Sequence, residues 1–351
     1  MTDPNTITDI PSVALPPLDQ LGRPLHDLRI SVMDRCNFRC PYCMPESTYG
    51  EHFNFLSNDE RLSFDEIERL CHMAAQLGVS KLRLTGGEPL LRPDLHELVA
   101  RLRKIDGITD LAMTTNGVLL RRQVGALRDA GLDRVTVSLD TLDPVLFHRM
   151  SGGRGALEDV LDGIEAAQAA GFPQGIKLNT VVQRGVNEHT VIELVERFRG
   201  TGIIPRLIEY MDVGNRNDWN RKAVVPSREL IATIDARWPL GALPPRYEGE
   251  VATRFRFLDG QGEVGVISSI SEPFCGDCSR ARLSSEGTLY TCLFAVQGTD
   301  LRTALRDGSD DHAVREILRQ VWLRRGDRYS EEREERRQRS RRKIEMHYIG
   351  G

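Results

Sequence analysis

Six of the seven cysteines fall into two groups of three: Cys36, Cys40 and Cys43 near one end, and Cys275, Cys278 and Cys292 near the other, with Cys71 apart. An odd count split in this way does not pair into disulfides and points to metal ligation. The first group has the spacing C-x3-C-x2-C. On one compact loop, thiolates so spaced can each reach a different iron of a [4Fe–4S] cube, leaving the fourth iron open to a small chelating molecule. Zinc sites normally use paired C-x2-C knuckles and four ligands. The second group is less specific, because a distant fourth ligand such as His347 would complete a zinc site, and that reading stays open. A second cluster is favoured by Arg280 and Arg282 directly behind it, since guanidinium groups beside an open iron can orient a phosphate-bearing substrate. Cys71 lies in an amphipathic pattern and reads as a small buried apolar residue.

A further signal is Thr85-Gly86-Gly87-Glu88-Pro89, whose glycines let a ligand approach the backbone closely. The cysteine loop, with aromatic Tyr42 just before its third cysteine, followed by this Gly-Gly-Glu-Pro run resembles the radical S-adenosylmethionine (SAM) superfamily. That resemblance implies that Tyr42, Gly87, Ser138 and Met211 contact SAM. From about residue 21 to Gly351 the joint pattern is similar to the GTP 3′,8-cyclase family of molybdenum cofactor biosynthesis. The segments carrying this likeness include Thr114-Thr115-Asn116-Gly117, Val137-Ser138-Leu139-Asp140, Lys177-Leu178-Asn179, Ile208-Glu209-Tyr210-Met211, the second triplet with its arginines and the terminal Gly350-Gly351.

The family resemblance implies two [4Fe–4S] clusters and SAM as cofactors, and GTP held by Arg29, Lys81, Arg83, Thr114, Lys177, Arg206, Arg280 and Arg282. It gives Arg280, Arg282, Gly350 and Gly351 catalytic roles, with the glycine tail reaching into the site. It further implies reductive cleavage of SAM to a 5′-deoxyadenosyl radical that abstracts the ribose 3′ hydrogen, then ring closure onto C8 of guanine. The implied partners are a reductant such as flavodoxin or ferredoxin and a downstream cyclic pyranopterin monophosphate synthase, with room for a homodimer. Residues 1–24 and 324–343 have no match in this pattern.

Positioning these groups falls to alternating elements. Strands are expected at residues 28–33, 81–85, 110–115, 134–140, 176–182 and 203–210, with helices between them at 93–104, 121–130, 157–170 and 188–198. Six βα units imply a parallel sheet, and eight would close a barrel, so the expected fold class is α/β, an incomplete three-quarter βα barrel with a smaller C-terminal α+β module. Residues 1–24 read as a flexible lead-in, 25–245 as the partial barrel and 246–351 as the module. Within the module, strands are expected at 251–258, 263–269, 282–284 and 289–293, helices near 300–306 and 312–324, and a solvated charged arm at 324–343. The strands alternate: Leu28, Ile30 and Val32 with Arg29 and Ser31; Leu82 and Leu84 with Lys81, Arg83 and Thr85. If helices cover the apolar face, Arg29, Lys81, Arg83 and Lys177 line the interior and need anions or water there. An antiparallel sheet with one solvated face is the alternative.

Composition excludes more than it assigns. A net charge of −4 and a pI near 6.1 argue against broad nucleic-acid binding. No apolar run approaches the roughly 20 residues that span a bilayer, and the N-terminus lacks a secretory pattern, so a cytoplasmic protein is expected. Two other readings remain: a radical SAM enzyme that modifies a peptide, and a non-catalytic zinc-stabilised binding protein.

Overall fold

A computed structural model describes residues 16–215, 219–247, 249–338 and 343–350, so the expectations for residues 1–15, part of the charged arm and Gly351 lie outside the described residues. Its strands are β1 (Asp27–Ser31), β2 (Lys81–Thr85), β3 (Asp110–Thr115), β4 (Arg134–Ser138), β5 (Ile176–Val182), β6 (Ile204–Glu209), β7 (Leu240–Leu243), β8 (Thr253–Phe257), β9 (Glu263–Ile267), β10 (Arg280–Leu283), β11 (Thr288–Tyr290) and β12 (Thr299–Asp300). They form one sheet in the order β12-β11-β10-β1-β2-β3-β4-β5-β6-β9-β8-β7. From β10 across to β9 all neighbours run parallel, while the outer pairs are antiparallel. The end strands β12 and β7 are not paired with each other, so the sheet stays open, as an incomplete barrel does. The parallel ladder excludes the antiparallel alternative.

The expected barrel strands are present within one or two residues at their ends. What the periodicity did not indicate is where the C-terminal strands go. They extend both edges of the barrel sheet, β10 lying on β1 and β9 on β6. An open parallel sheet leaves backbone donors and acceptors unpaired along its two margins, and these strands satisfy them. Leu28, Ile30, Leu82, Leu84, Leu111, Val135 and Leu178 pack outward into one core with Leu98, Val99, Leu127 and Val160 of the covering helices.

Local chemistry starts two further helices, the first over the amphipathic pattern around Cys71. Ser63 and Glu66 form a reciprocal capping box on the helix Phe64–Gln76, which buries Cys71 as expected. Asp143 caps Pro144–Met150, with proline already set for the first turn.

Two charged stretches differ from their expected solvated state. Asp19 and Arg23, in the supposed lead-in, are buried, as are Arg325, Tyr329 and Arg333 in the supposed arm. Arg23 pairs locally with Asp19 at 2.6 Å, while the counterions of the arm lie far away in sequence: Arg325 pairs with Asp19 at 2.9 Å and Arg333 with Asp212 at 2.8 Å.

Glu209 ends β6 fully buried, and ties three segments together. It accepts from Ser227 N at 2.8 Å, Ile270 N at 2.7 Å, and both N (2.8 Å) and Oγ (2.5 Å) of Ser271. Glu209→Ala strands these donors, and a buried unsatisfied group costs about 1–3 kcal/mol. Urea unfolding of the variant is expected to show a loss of at least about 3 kcal/mol, and a loss below about 1 kcal/mol contradicts this account.

Candidate active site

The register of the parallel strands brings cations into rows. Arg29 stands beside Arg282 on one side and Arg83 on the other. Further along, Thr136 neighbours Lys177, and Asn179 neighbours Arg206. All these residues except Thr136 line one cavity, together with Thr114, Ser138 and Met211. Compensation is uneven. Lys81 Nζ lies 3.0 Å from Asp27 Oδ2 and donates to the Tyr247 hydroxyl at 3.0 Å. Arg83 Nη1 donates to Thr114 Oγ1 at 3.0 Å and Thr136 Oγ1 at 3.3 Å, but the Nε atoms of Arg29, Arg83 and Arg206 are buried with no partner. Burial, then like-charged neighbours, pushes Arg29, Arg83 and Arg206 each down to about 9 and Lys177 down to about 6. Such a cluster is shaped for a polyanion. Thr136, Tyr247 and Asp27 were not anticipated, since neither threonine nor a lone tyrosine stands out without the register.

The first cysteine loop follows β1 and is held from several sides. Cys43 N donates to Cys40 O at 3.0 Å, and Arg39 donates through Nη1 to the Cys36 carbonyl at 2.6 Å and through Nε to that of Tyr49 at 2.7 Å. Gly86 and Gly87 lie so close to the Met33 and Arg35 carbonyls that a Cβ at either would overlap them. Glu88 is buried and accepts from Thr115 Oγ1 at 2.6 Å and Asn116 N at 2.8 Å, with its carboxyl pushed up to about 7 by burial. Tyr42 donates its hydroxyl proton to Asp140 Oδ2 at 2.6 Å. Burial also raises the Cys36 thiol to about 12, so a cation taken up here displaces protons.

The second triplet opens on the same cavity. Cys278 N donates to Cys275 O at 3.3 Å, and Arg280 Nη2 lies 3.3 Å from Cys278 Sγ. Burial alone would raise the Cys278 thiol, but Arg280 and Arg325 outweigh it and bring it down to about 6. His347 does not complete this set. It packs edge-on against Tyr49 at 4.7 Å, hydrogen-bonded to the backbone of Cys43, and burial lowers its ring to about 4. The zinc reading that relied on it therefore loses its fourth ligand. Among the described residues no three His, Cys, Asp or Glu side chains gather around a single-ion site. Each triplet presents three thiols to the same cavity, the number of ligands that leaves one iron of a cube open.

The C-terminal tail enters the site. Ile349 is fully buried, and Arg282 Nη1 donates to the carbonyls of Ile349, at 3.4 Å, and Gly350. Gly350 has a φ of 71°, and a Cβ there would overlap the Thr85 side chain. Thus every residue expected to act lies on the cavity or, for Gly350, against it; Gly351 is outside the described residues.

Comparison with known proteins agrees. Residues 30–198 match the Radical SAM superfamily and residues 203–331 match Molybdenum Cofactor Synthesis C. A GTP 3′,8-cyclase of Xanthomonas axonopodis pv. citri is 57% identical over 96% of this chain and 99% of its own length. Those of Acidothermus cellulolyticus (53%) and Staphylococcus haemolyticus (46%) each align over 95% of this chain and 98% of their own. The chain belongs to the GTP 3′,8-cyclase family. Among solved structures, Streptococcus suis SuiB bound to S-adenosylmethionine superposes with a TM-score of 0.59 at 16% identity, over 85% of this chain and 68% of that one, a likeness of fold. The second triplet lies within the residues matched by Molybdenum Cofactor Synthesis C, and the first within those matched by the Radical SAM superfamily. No helix among the described residues is long and apolar enough to cross a membrane.

Two outcomes are expected. Gly87→Ala forces the Arg35 carbonyl away and should lower the iron bound at the first loop after anaerobic reconstitution, with unchanged far-UV circular dichroism; full iron content contradicts the steric account. Lys177, largely neutral at pH 7.5 in the free protein, recovers its proton when an anion settles beside it. Binding of tripolyphosphate at pH 7.5, measured calorimetrically in buffers of differing ionisation enthalpy, should take up a proton that Lys177→Met does not. The uptake fades as pH falls below about 6, where the free lysine is already charged.

Proposed function

We propose that this chain is a radical SAM GTP 3′,8-cyclase acting in the first step of molybdenum cofactor biosynthesis. The observation that carries the reading is one cavity with a cysteine triplet at each side and a set of buried, uncompensated cations between them. A peptide has no need of such cations, whereas a nucleoside triphosphate supplies the missing negative charge.

Bound as [4Fe–4S] clusters on the two triplets, with SAM on the first, the cofactors supply the one-electron chemistry that an unpolarised ribose C–H bond requires. In this reading Cys36, Cys40 and Cys43 hold one cluster and Cys275, Cys278 and Cys292 the other. Gly87 presents backbone to SAM, and Ser138, Met211 and Tyr42 complete its pocket, Tyr42 being fixed by Asp140. Arg29, Arg83, Lys177 and Arg206 grip the triphosphate. Thr114 orients Arg83, and Lys81, already neutralised by Asp27, positions its neighbours more than it adds charge. Arg280 and Arg282 steer the nucleotide toward the second triplet, and the Gly350 and Ile349 carbonyls hold the Arg282 guanidinium in place. The protein's part is to fix distances and keep water from the reacting centre.

The electron is assigned to a flavodoxin- or ferredoxin-type donor and the product to a cyclic pyranopterin monophosphate synthase, both because the cyclised nucleotide and its one-electron requirement call for them. Seven free thiols accord with a reducing cytoplasmic setting. A homodimer is included in the reading on family likeness alone.

Anaerobic incubation with reductant, SAM and GTP is expected to yield 5′-deoxyadenosine and cyclised nucleotide together. Deleting Gly350 and Gly351 should preserve iron content and SAM binding but reduce cyclised product more than about tenfold, the effect of about 1.4 kcal/mol in the barrier. Formation of 5′-deoxyadenosine without any nucleotide product from the intact chain overturns the reading, and full activity of the truncated chain overturns the role of the tail.

A further inference from the structure

Behind the second triplet lies a buried ion network that none of these roles uses. Asp19 is 6% exposed, and its Oδ2 receives Arg23 Nε at 2.6 Å and Arg325 Nη1 at 2.9 Å. Further donors of the two guanidinium groups go mostly to backbone around the cysteines, while Arg23 Nη2 is buried with no partner. Arg23 Nη1 donates to the Cys275 carbonyl at 2.5 Å and the Asp327 carbonyl at 2.9 Å. Arg325 donates through Nη1 to the Cys278 carbonyl at 2.6 Å and through Nε to the Thr291 carbonyl, next to Cys292, at 3.1 Å. The helix Asp311–Leu323 backs the assembly: Trp322 Nε1 donates to the Arg23 carbonyl at 2.9 Å, and the Arg325 guanidinium sits 4.5 Å from the Trp322 ring centre.

The antiparallel β10–β11 ladder, with Arg282 opposite Tyr290 and Leu283 opposite Leu289, brings the two cysteine-bearing segments near each other but stops short of the cysteines. Cys275 and Cys278 precede β10, and Cys292 follows β11. Beyond that ladder Arg325 bonds to both segments, and a planar guanidinium has donors diverging widely enough to do so while also meeting Asp19. Removing Asp19 leaves two adjacent buried cations without their shared counterion.

We propose that Asp19, Arg23 and Arg325 are positioning residues that hold the two halves of the second triplet at the separation its cluster requires. The inference rests on the two-cluster reading above. The test uses full-length wild type, Arg325→Lys and Asp19→Asn, each reconstituted anaerobically. Iron and sulfide per chain, the electron paramagnetic resonance signals of each cluster, and SAM affinity are then measured. Wild type is expected to hold about eight irons, two cubes of four. Both variants are expected to fall toward about four, keeping the SAM-responsive signal and SAM affinity while losing the GTP-responsive one. Variants with full iron and both wild-type signals overturn the triad. So does equal loss of both clusters, which marks general unfolding. A wild type holding about four irons instead overturns the two-cluster reading and the triad with it.

Discussion

Parallel strands in register set their inward side chains shoulder to shoulder, and here that places guanidinium against guanidinium. Arg282, Arg29 and Arg83 occupy one row over three adjacent strands, and no carboxylate separates them. Asp27, at the start of β1, pairs directly with Lys81 through Oδ2. The site thus stores an electrostatic demand in the free protein, of the kind that an anion entering the cavity would meet. The apolar outer face of the same strands makes this arrangement tolerable, because the helices packed there stabilise the sheet regardless of what its inner face carries.

Much of this could be read from residue order. Strict alternation in β1, β2, β4 and β5 revealed a polar inner face, and cysteine spacing revealed the first metal loop. Both signals are local, spanning a few residues each. What escaped reading depends on partners distant in the chain. Asp19, Arg325 and Arg333 look like ordinary surface charges in their own neighbourhoods, and only the folded chain shows Arg325 buried on Asp19 and Arg333 on Asp212. Glu209 reads as the polar end of a strand, yet it organises the turn leading toward Phe274 and Cys275. His347 was a plausible ligand for the second triplet and instead borders the first, because the tail crosses the cavity before it ends.

The two triplets also differ in how they are built. The first lies on one short loop braced by glycines of the adjoining strand end, so eight consecutive positions set its geometry. The second draws on two segments joined from behind by side chains from both ends of the chain. A spacing motif is recognisable in the first case for the same reason that it is weak in the second: short loops encode geometry in sequence, and assembled sites encode it in packing.

The strand order carries a consequence for how the protein is made. β1 takes its outer neighbour from β10, and Arg23 reaches a carbonyl 252 residues further on. A ribosome releases the chain from its N-terminus, so β1 emerges long before the strand that covers its free edge, and the half-built sheet waits exposed. High sequence separation between contacting elements slows folding and lengthens that exposure. The second triplet can come together only after β10 and β11 have been synthesised, so any cofactor it holds is loaded late, and until then the nascent chain relies on whatever shields its unfinished margin.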